Sequence, residues 1–306
     1  MGFAQRGNED MVVKIADKYP ELLLEEGSGI DWSGFHFQGH PFRAVLWVGD
    51  VEMAQKLIAC FAKLNDCLEA LKSQFQAHFT LEAKQREAIQ LKSLCKAIRK
   101  IFNIISKSAV DNECLDALEE YGAQLKPQGI FKAGSHIYGK LYTFSIDHYG
   151  LHYDDFGKSW NSPKHVRVRN KVIGQLERYV PSCLAQAMTH HREVIQSGMP
   201  LIRTFDLAKH ATIPPPSLKD GGRFWFPLLT KQTEETKADG EVLIRGNSAY
   251  FILGENYYGA AQDEILSSRY SPPILRDYLK KMQRKIETII SPMPTAIESS
   301  QRCVIS

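Results

Sequence analysis

The most regular apolar pattern in the chain runs through residues 53–105. Leu57, Phe61, Leu64, Leu68, Leu71 and Phe75 follow one another at alternating spacings of four and three, which places them on one helical face. Thr80 offers a capping oxygen for a second helix, whose stripe is Leu91, Leu94, Ile98, Ile101 and Ile105. Neither run sustains the heptads of a free-standing coiled coil, so the two stripes are expected to bury against each other as an antiparallel hairpin. Asp111 to Leu125 reads as one more short helix, closed by Pro127 and Gly129. Past Ile130 the regularity fades into mixed aromatics, histidines and glycines, and Leu141 to Ile146 reads as extended. Val172 to Ile195 reads as a helix around Ile173, Leu176, Tyr179, Leu184 and Met188. Pro181, with no N–H to donate, interrupts it. Pro214-Pro215-Pro216 marks a loop, Phe224 to Leu229 is dense core material, and Thr230 to Gly240 reads as an exposed polar loop. Val242–Ile244 and Ala249–Leu253 flank Arg245-Gly246-Asn247-Ser248, a hairpin signal. The last helix opens at Ser271-Pro272-Pro273 and runs to about residue 290, ahead of Pro292 and Pro294. Its apolar face holds Leu275, Tyr278, Leu279, Met282, Ile286 and Ile289; the other side holds Arg276, Lys280, Lys281, Arg284 and Lys285.

Two stretches near the start echo each other. Ala4-x-x-Gly7-Asn8-x-x-Met11-Val12-x-x-Ile15 is answered by Leu46-x-x-Gly49-Asp50-x-Glu52-Met53-Ala54-x-x-Leu57, the second copy preceded by His40-Pro41-Phe42-Arg43-Ala44. Pro41 suits the first position of a helix, where its missing N–H costs nothing. Gly7 and Gly49 suit the tight turn between paired helices. Both copies resemble the ankyrin repeat, T-P-L-H-x-A followed by a glycine turn and an apolar helix. His40 stands in place of the threonine and Arg43 in place of the histidine, and the glycines are 42 residues apart against a usual repeat of about 33. Stacked repeats need about three units for stability, so this pair must lean on the helices C-terminal to it. The pattern predicts a mainly α protein: degenerate ankyrin-like helix pairs (1–59), a helical hairpin packed on them (60–129), a mixed domain with a small β-hairpin component (130–270), an amphipathic basic helix (271–291) and a flexible tail (292–306).

Composition narrows the functional classes without selecting one. In 306 residues, 43% hydrophobic and 24% charged content is that of an ordinary globular chain. A formal charge of +3 gives no general pull toward nucleic acid, and none is expected as a partner. No apolar run approaches the ~18 residues of a membrane span. The first residues lack the apolar core of a signal peptide, and Arg6 stands where a myristoylation signal wants Ser or Thr. The six cysteines form no C-x-x-C pair, so no metal site is expected, and the placement of the first four, Cys60, Cys67, Cys95 and Cys114, in helix-like segments predicts a reducing compartment.

The ending Cys303-Val304-Ile305-Ser306 carries the one motif with chemistry. A prenyltransferase alkylates a cysteine followed by two aliphatic residues and a selective last residue, and a terminal serine favours farnesyl. Cys303 is therefore the expected lipidation site and its covalent farnesyl group the only expected cofactor. One prenyl chain anchors weakly. The basic side of the last helix, Lys280, Lys281, Arg284 and Lys285, is the candidate second contact, at roughly 1 kcal/mol per cation beside an anionic leaflet.

Catalytic patterns are faint. His190 and His191 beside Glu193 lack the H-E-x-x-H spacing of a metalloprotease. Cys183 and His190 fall on one helix in a relation that does not bring them into contact. Gly221-Gly222 lacks the surroundings of a phosphate loop. The basic run from Lys158 to Lys171, including Arg167 and Arg169, is a candidate partner or phosphate contact. Arg245-Gly246 resembles the arginine strand of ADP-ribosyltransferases, without that family's Ser-Thr-Ser strand or Glu-x-Glu pair.

The repeat pair, the helices after it, Gln175-x-x-x-Arg178-Tyr179-x-Pro181 and Ile244-Arg245-Gly246 together resemble the ankyrin-like secreted effectors of Legionella-type intracellular bacteria, several of which borrow host prenylation. The resemblance implies delivery into a host cell without a classical signal peptide, a host prenyltransferase and a host protein as partners, and residence at the cytoplasmic face of a host membrane. It implies no particular activity. The leading expectation is a membrane-anchored, host-directed adaptor; the alternative is a transferase acting through the 130–270 region.

Overall fold

A computed structural model describes residues 1–31, 34–107, 112–158, 162–177, 179–181, 183–184, 234–236, 242–244, 277, 280–282, 284–285 and 288. These residues are mainly helical, with a small three-stranded sheet and a separate two-stranded one.

Two short helix pairs open the chain, each turned by a glycine and capped by the residue after it. In the first, α1 (Gly2–Gln5) leads through Gly7, at φ 72°, into α2 (Glu9–Lys18), and the Asn8 side chain accepts from the Met11 N–H at 3.2 Å. In the second, α3 (Pro41–Val48) leads through Gly49, at φ 76°, into α4 (Val51–Phe61), and Asp50 accepts from the Met53 N–H at 3.1 Å. The positive φ requires glycine, and the side-chain oxygen satisfies an amide the helix leaves orphaned. The pairs stack helix on helix, α1 on α3 and α2 on α4. A Lys56–Glu9 ion pair and a Lys63–Asp17 pair at 2.5 Å bridge them.

Between the pairs lies a hairpin that the apolar pattern does not announce. β1 (Gly27–Ile30) pairs antiparallel with β2 (His36–Gly39), and β3 (Ile130–Phe131) adds to β2 in parallel. α1 packs over a face of β1, where a Cβ on Gly29 would run into Gln5 Oε1, and Arg6 Nε donates to Ile30 O.

The long stripe at 53–79 is not one helix. It breaks at residues 62–66 into α4 and α5 (Cys67–His78). Core-facing residues continue on both sides of the break, so their spacing reads straight through it. The expected hairpin of stripes is also replaced. α5 packs on α3 and α4, while α6 (Leu81–Lys107) packs on α7 (Asn112–Leu125) and α8 (Tyr138–Leu151). Thr80 does cap α6, accepting from the Ala83 N–H at 3.1 Å. The buried face of α6 is Leu94, Ile98, Ile101, Phe102 and Ile105.

Leu141–Ile146 is helical, not extended. Tyr138, Leu141, Tyr142, Ser145, Ile146 and Tyr149 of α8 are buried, a three-and-four spacing hidden by aromatic content that favours strands in isolation. The helix expected from Val172 starts earlier. Ser162 caps α9 (Pro163–Arg167), a π turn spans Val168–Ile173, and α10 (Gly174–Glu177) follows. Pro181 is non-helical, as its chemistry demands. The predicted hairpin has a different partner: β5 (Val242–Ile244) pairs with β4 (Glu234–Thr236), inside the stretch read as a loop, and 245–253 lie outside the described residues.

One extended strap joins the stacked pairs to the later helices. Arg43 Nη2 donates to Lys132 O and, at 3.2 Å, to Ala77 O. Arg86 donates to Ala133 O at 3.0 Å, the Gly134 N–H to His78 O at 2.9 Å, the Ser135 N–H to Glu87, and the His136 N–H to Trp47 O at 2.9 Å. Five successive backbone positions are thus held by different elements, so a half-buried non-helical segment leaves few polar groups orphaned.

Candidate functional site

The two helix pairs carry similar apolar residues but bury them differently. With Gly7 set on Gly49, Phe3 matches Val45, Met11 matches Met53 and Tyr19 matches Phe61. Phe3 is 46% exposed, Met11 38% and Tyr19 45%, while Val45, Met53 and Phe61 are sealed at 0–1%. Ile15, the counterpart of fully buried Leu57, is half-buried. The second pair has helices over these positions. On the first, the same positions meet solvent.

Among the described residues, six of the eleven exposed large hydrophobics fall within the first thirty positions: Phe3, Met11, Tyr19, Leu22, Leu24 and Ile30. Phe3 and Leu22 line an apolar groove of about 220 Å³, walled also by Val12, Ile15, Ala16 and Leu23, with Glu25 and Glu26 on its rim. Both glutamates are exposed. The groove is smaller than the roughly 300–1,000 Å³ of small-molecule pockets. Its size and apolar lining suit side chains of a protein partner.

The clustered aromatic and titratable side chains lie elsewhere and are enclosed. Trp47 is ringed by Phe35, Phe37, Phe131 and His136, at centroid distances of 4.9–5.8 Å. His136 Nε2 stands 3.9 Å from Asp31 Oδ2, and the other Asp31 oxygen accepts from the Phe35 N–H at 2.9 Å. Burial holds His136 down to about 3, so it is neutral at ordinary pH. His78 is held to about 3 by burial and then by the charge of Arg43. Neither imidazole has a hydrogen-bond partner among the described residues. Both rings are enclosed in the aromatic packing around Trp47 and Phe37.

Two residues of the basic run are taken up by the fold, Lys164 and His165. Lys164 Nζ donates to Ser106 O at 2.7 Å, closing the C-terminal turn of α6. Buried His165 holds Tyr149 Oη at 2.7 Å through Nδ1 and Gly157 O at 2.9 Å through Nε2. The second contact assigns the proton to Nε2, because a carbonyl only accepts. Arg167 is half-buried on α9, with Nη1 enclosed and unpaired among the described residues. Arg169 lies in the π turn. Arg245, Arg178, His190, His191 and the tail Cys303-Val304-Ile305-Ser306 lie outside the described residues. On the last helix, Lys280, Lys281 and Arg284 are exposed and Lys285 is half-buried.

Cys183, weighed as a nucleophile, is buried, and its Sγ donates to Val48 O at 3.1 Å. Among the described residues no group of three or more His, Cys, Asp or Glu side chains is placed to hold a metal, and no helix is long and apolar enough to cross a membrane. The groove is the feature that the sequence alone does not reveal. Its signal lies in the unequal fate of matched apolar positions, which becomes visible only once burial is known.

Comparison of the chain with protein-family models, with curated proteins and with solved structures finds no match. The likeness to ankyrin repeats and to the effector group therefore rests on the residues that carry it.

Proposed function

We propose that the chain is a membrane-tethered, host-directed adaptor. Its first helix pair captures a host protein, and farnesylation of Cys303 holds the complex at the cytoplasmic face of a host membrane. The observation that carries the reading is the concentration of exposed apolar side chains in the first thirty residues, with Phe3 and Leu22 lining the groove, since exposed apolar surface of this kind marks interaction sites. The glycine turns, the Asn8 and Asp50 caps and the stacking of α1 on α3 support a relation to ankyrin repeats, which are binding scaffolds. The exposed cations Lys280, Lys281 and Arg284 support the second membrane signal that a single prenyl chain needs. The tether further requires Ser306 to carry the free carboxylate. The transferase alternative rests on Arg245, outside the described residues, and has no structural observation in its favour.

The test is expression in animal cells with a farnesyltransferase inhibitor and two sets of variants. Cys303→Ser and the inhibitor should each move the protein from membrane to cytosol, and intact mass should show the lipid. Phe3→Asp with Leu22→Asp should leave the membrane fraction unchanged and remove the main proximity-labelled partner. A wild-type protein that fractionates like Cys303→Ser removes the tether from the account. A partner set indifferent to the groove changes removes the adaptor surface.

A further inference from the structure

We infer that the groove of the first helix pair takes an amphipathic helix of the partner whose apolar stripe is flanked by Lys or Arg. The inference rests on the adaptor reading and specifies the chemistry of what is captured. Three observations carry it.

The first is the stacking rule built into the molecule. α1 lies on α3 and α2 on α4, so each pair covers the next with helices. Phe3, Met11, Ile15 and Tyr19 stand at the positions that the second pair seals as Val45, Met53, Leu57 and Phe61. A face of this shape continues the stack when a further helix lies on it, its side chains filling the grooves between ridges.

The second is the strand beside the groove. α1 packs over β1, and Arg6 already takes the Ile30 carbonyl, one of those an added strand could use. A helix satisfies its own backbone bonds and needs no strand edge, so it is the form of peptide that suits an apolar groove between helices.

The third is charge. Glu25 and Glu26 stand exposed on the rim, with neighbouring Glu21 also exposed and no ion pair to any of the three among the described residues. The same rim argues against a second copy as occupant. A symmetric pairing through this face brings two acidic rims together, and like charges in apposition are disfavoured.

The test uses the full chain as bait and a displayed library of helical peptides with a fixed leucine stripe and randomised flanking charges. Selected peptides should carry Lys or Arg beside the stripe. They should bind the Ile15→Asp variant at least ten-fold more weakly. Glu25→Lys with Glu26→Lys, both on the surface, should reverse the preference toward acidic flanks. Circular dichroism and a thermal scan of each variant separate lost binding from lost folding. Selection of neutral or acidic flanks, binding indifferent to Ile15→Asp, or no selection at all overturns the inference. So does concentration-dependent dimerisation that Ile15→Asp abolishes. If flanking charge proves irrelevant while groove substitutions still remove the partner in cells, the adaptor reading stands and the charge rule alone fails.

Discussion

The first and second helix pairs share a turn and a cap, and they differ in what lies over their apolar positions. Gly7 and Gly49 adopt nearly the same φ, and Asn8 and Asp50 cap their helices in the same way. Yet Asp50 is buried, Met53 is sealed, and Trp47 sits in a ring of aromatics, while Met11, Tyr19 and Phe3 face water. The comparison teaches that local pattern sets the helix–turn–helix, and the neighbours decide what an apolar position does. A stripe with helices on it is core; the same stripe at the open end of a stack is a surface available to a partner.

Acid should produce the largest contrast between the regions. His78 and His136 pack beside the second pair and titrate near 3 when folded, against about 6.5 unfolded. Below pH 6.5 the unfolded chain therefore binds protons that the folded one refuses, and stability falls as pH falls, by about 1.4 kcal/mol per pH unit for each histidine. Burial raises Glu87, which acts in the opposite sense and flattens the limb around its own titration. Urea midpoints from pH 7 to pH 4.5 should show the decline, and His136→Phe should make it shallower. An equal slope in that variant would remove His136 from the explanation.

Core truncation comes next. Met53→Ala should cost about 2–5 kcal/mol through lost burial and the cavity left behind, whereas Met11→Ala at the matched position should stay within about 0.5 kcal/mol. Chemical denaturation of both variants measures the difference, and comparable losses would mean that the first pair is covered in solution. Asp50→Ala should cost about 1–2 kcal/mol, since the amide it satisfies is buried, against about 0.5–1 kcal/mol for half-buried Asn8→Ala. Gly49→Ala tests the turn itself. At Gly49 an added Cβ meets nothing within 4 Å, so only the left-handed backbone is penalised, at about 1 kcal/mol; Gly7→Ala, at φ 72°, carries the same backbone penalty. Unequal glycine costs would show that the turns are not equivalent.

Features that depend on local chemistry were legible in the residues. The glycine turns, Pro41 at a helix start, the Thr80 cap, the 111–125 helix and the non-helical Pro181 follow from backbone rules that act over a few positions. The mainly helical class with a small β component was legible for the same reason. Features that depend on tertiary partners were not. The break at 62–66 hid behind continuous core spacing, and α8 hid behind β-favouring aromatics. The β1–β2 hairpin is built from Gly-Ser-Gly-Ile and His-Phe-Gln-Gly, which lack the β-branched alternation of a strand signal. Of the candidate site residues, the exposed cations of the last helix could be placed from sequence. The groove could not, because matched residues such as Met11 and Met53 differ only in what lies over them.

The most direct test places a photoreactive amino acid at Leu22 on the groove, or at Leu151 as a control, in the full chain expressed in animal cells. Leu22 is 42% exposed and Leu151 76%, so exposure alone favours the control. The account predicts a discrete crosslinked protein from Leu22, lost on Ile15→Asp, and none from Leu151. Equal crosslinking from the two positions, or a Leu22 product indifferent to Ile15→Asp, would contradict it.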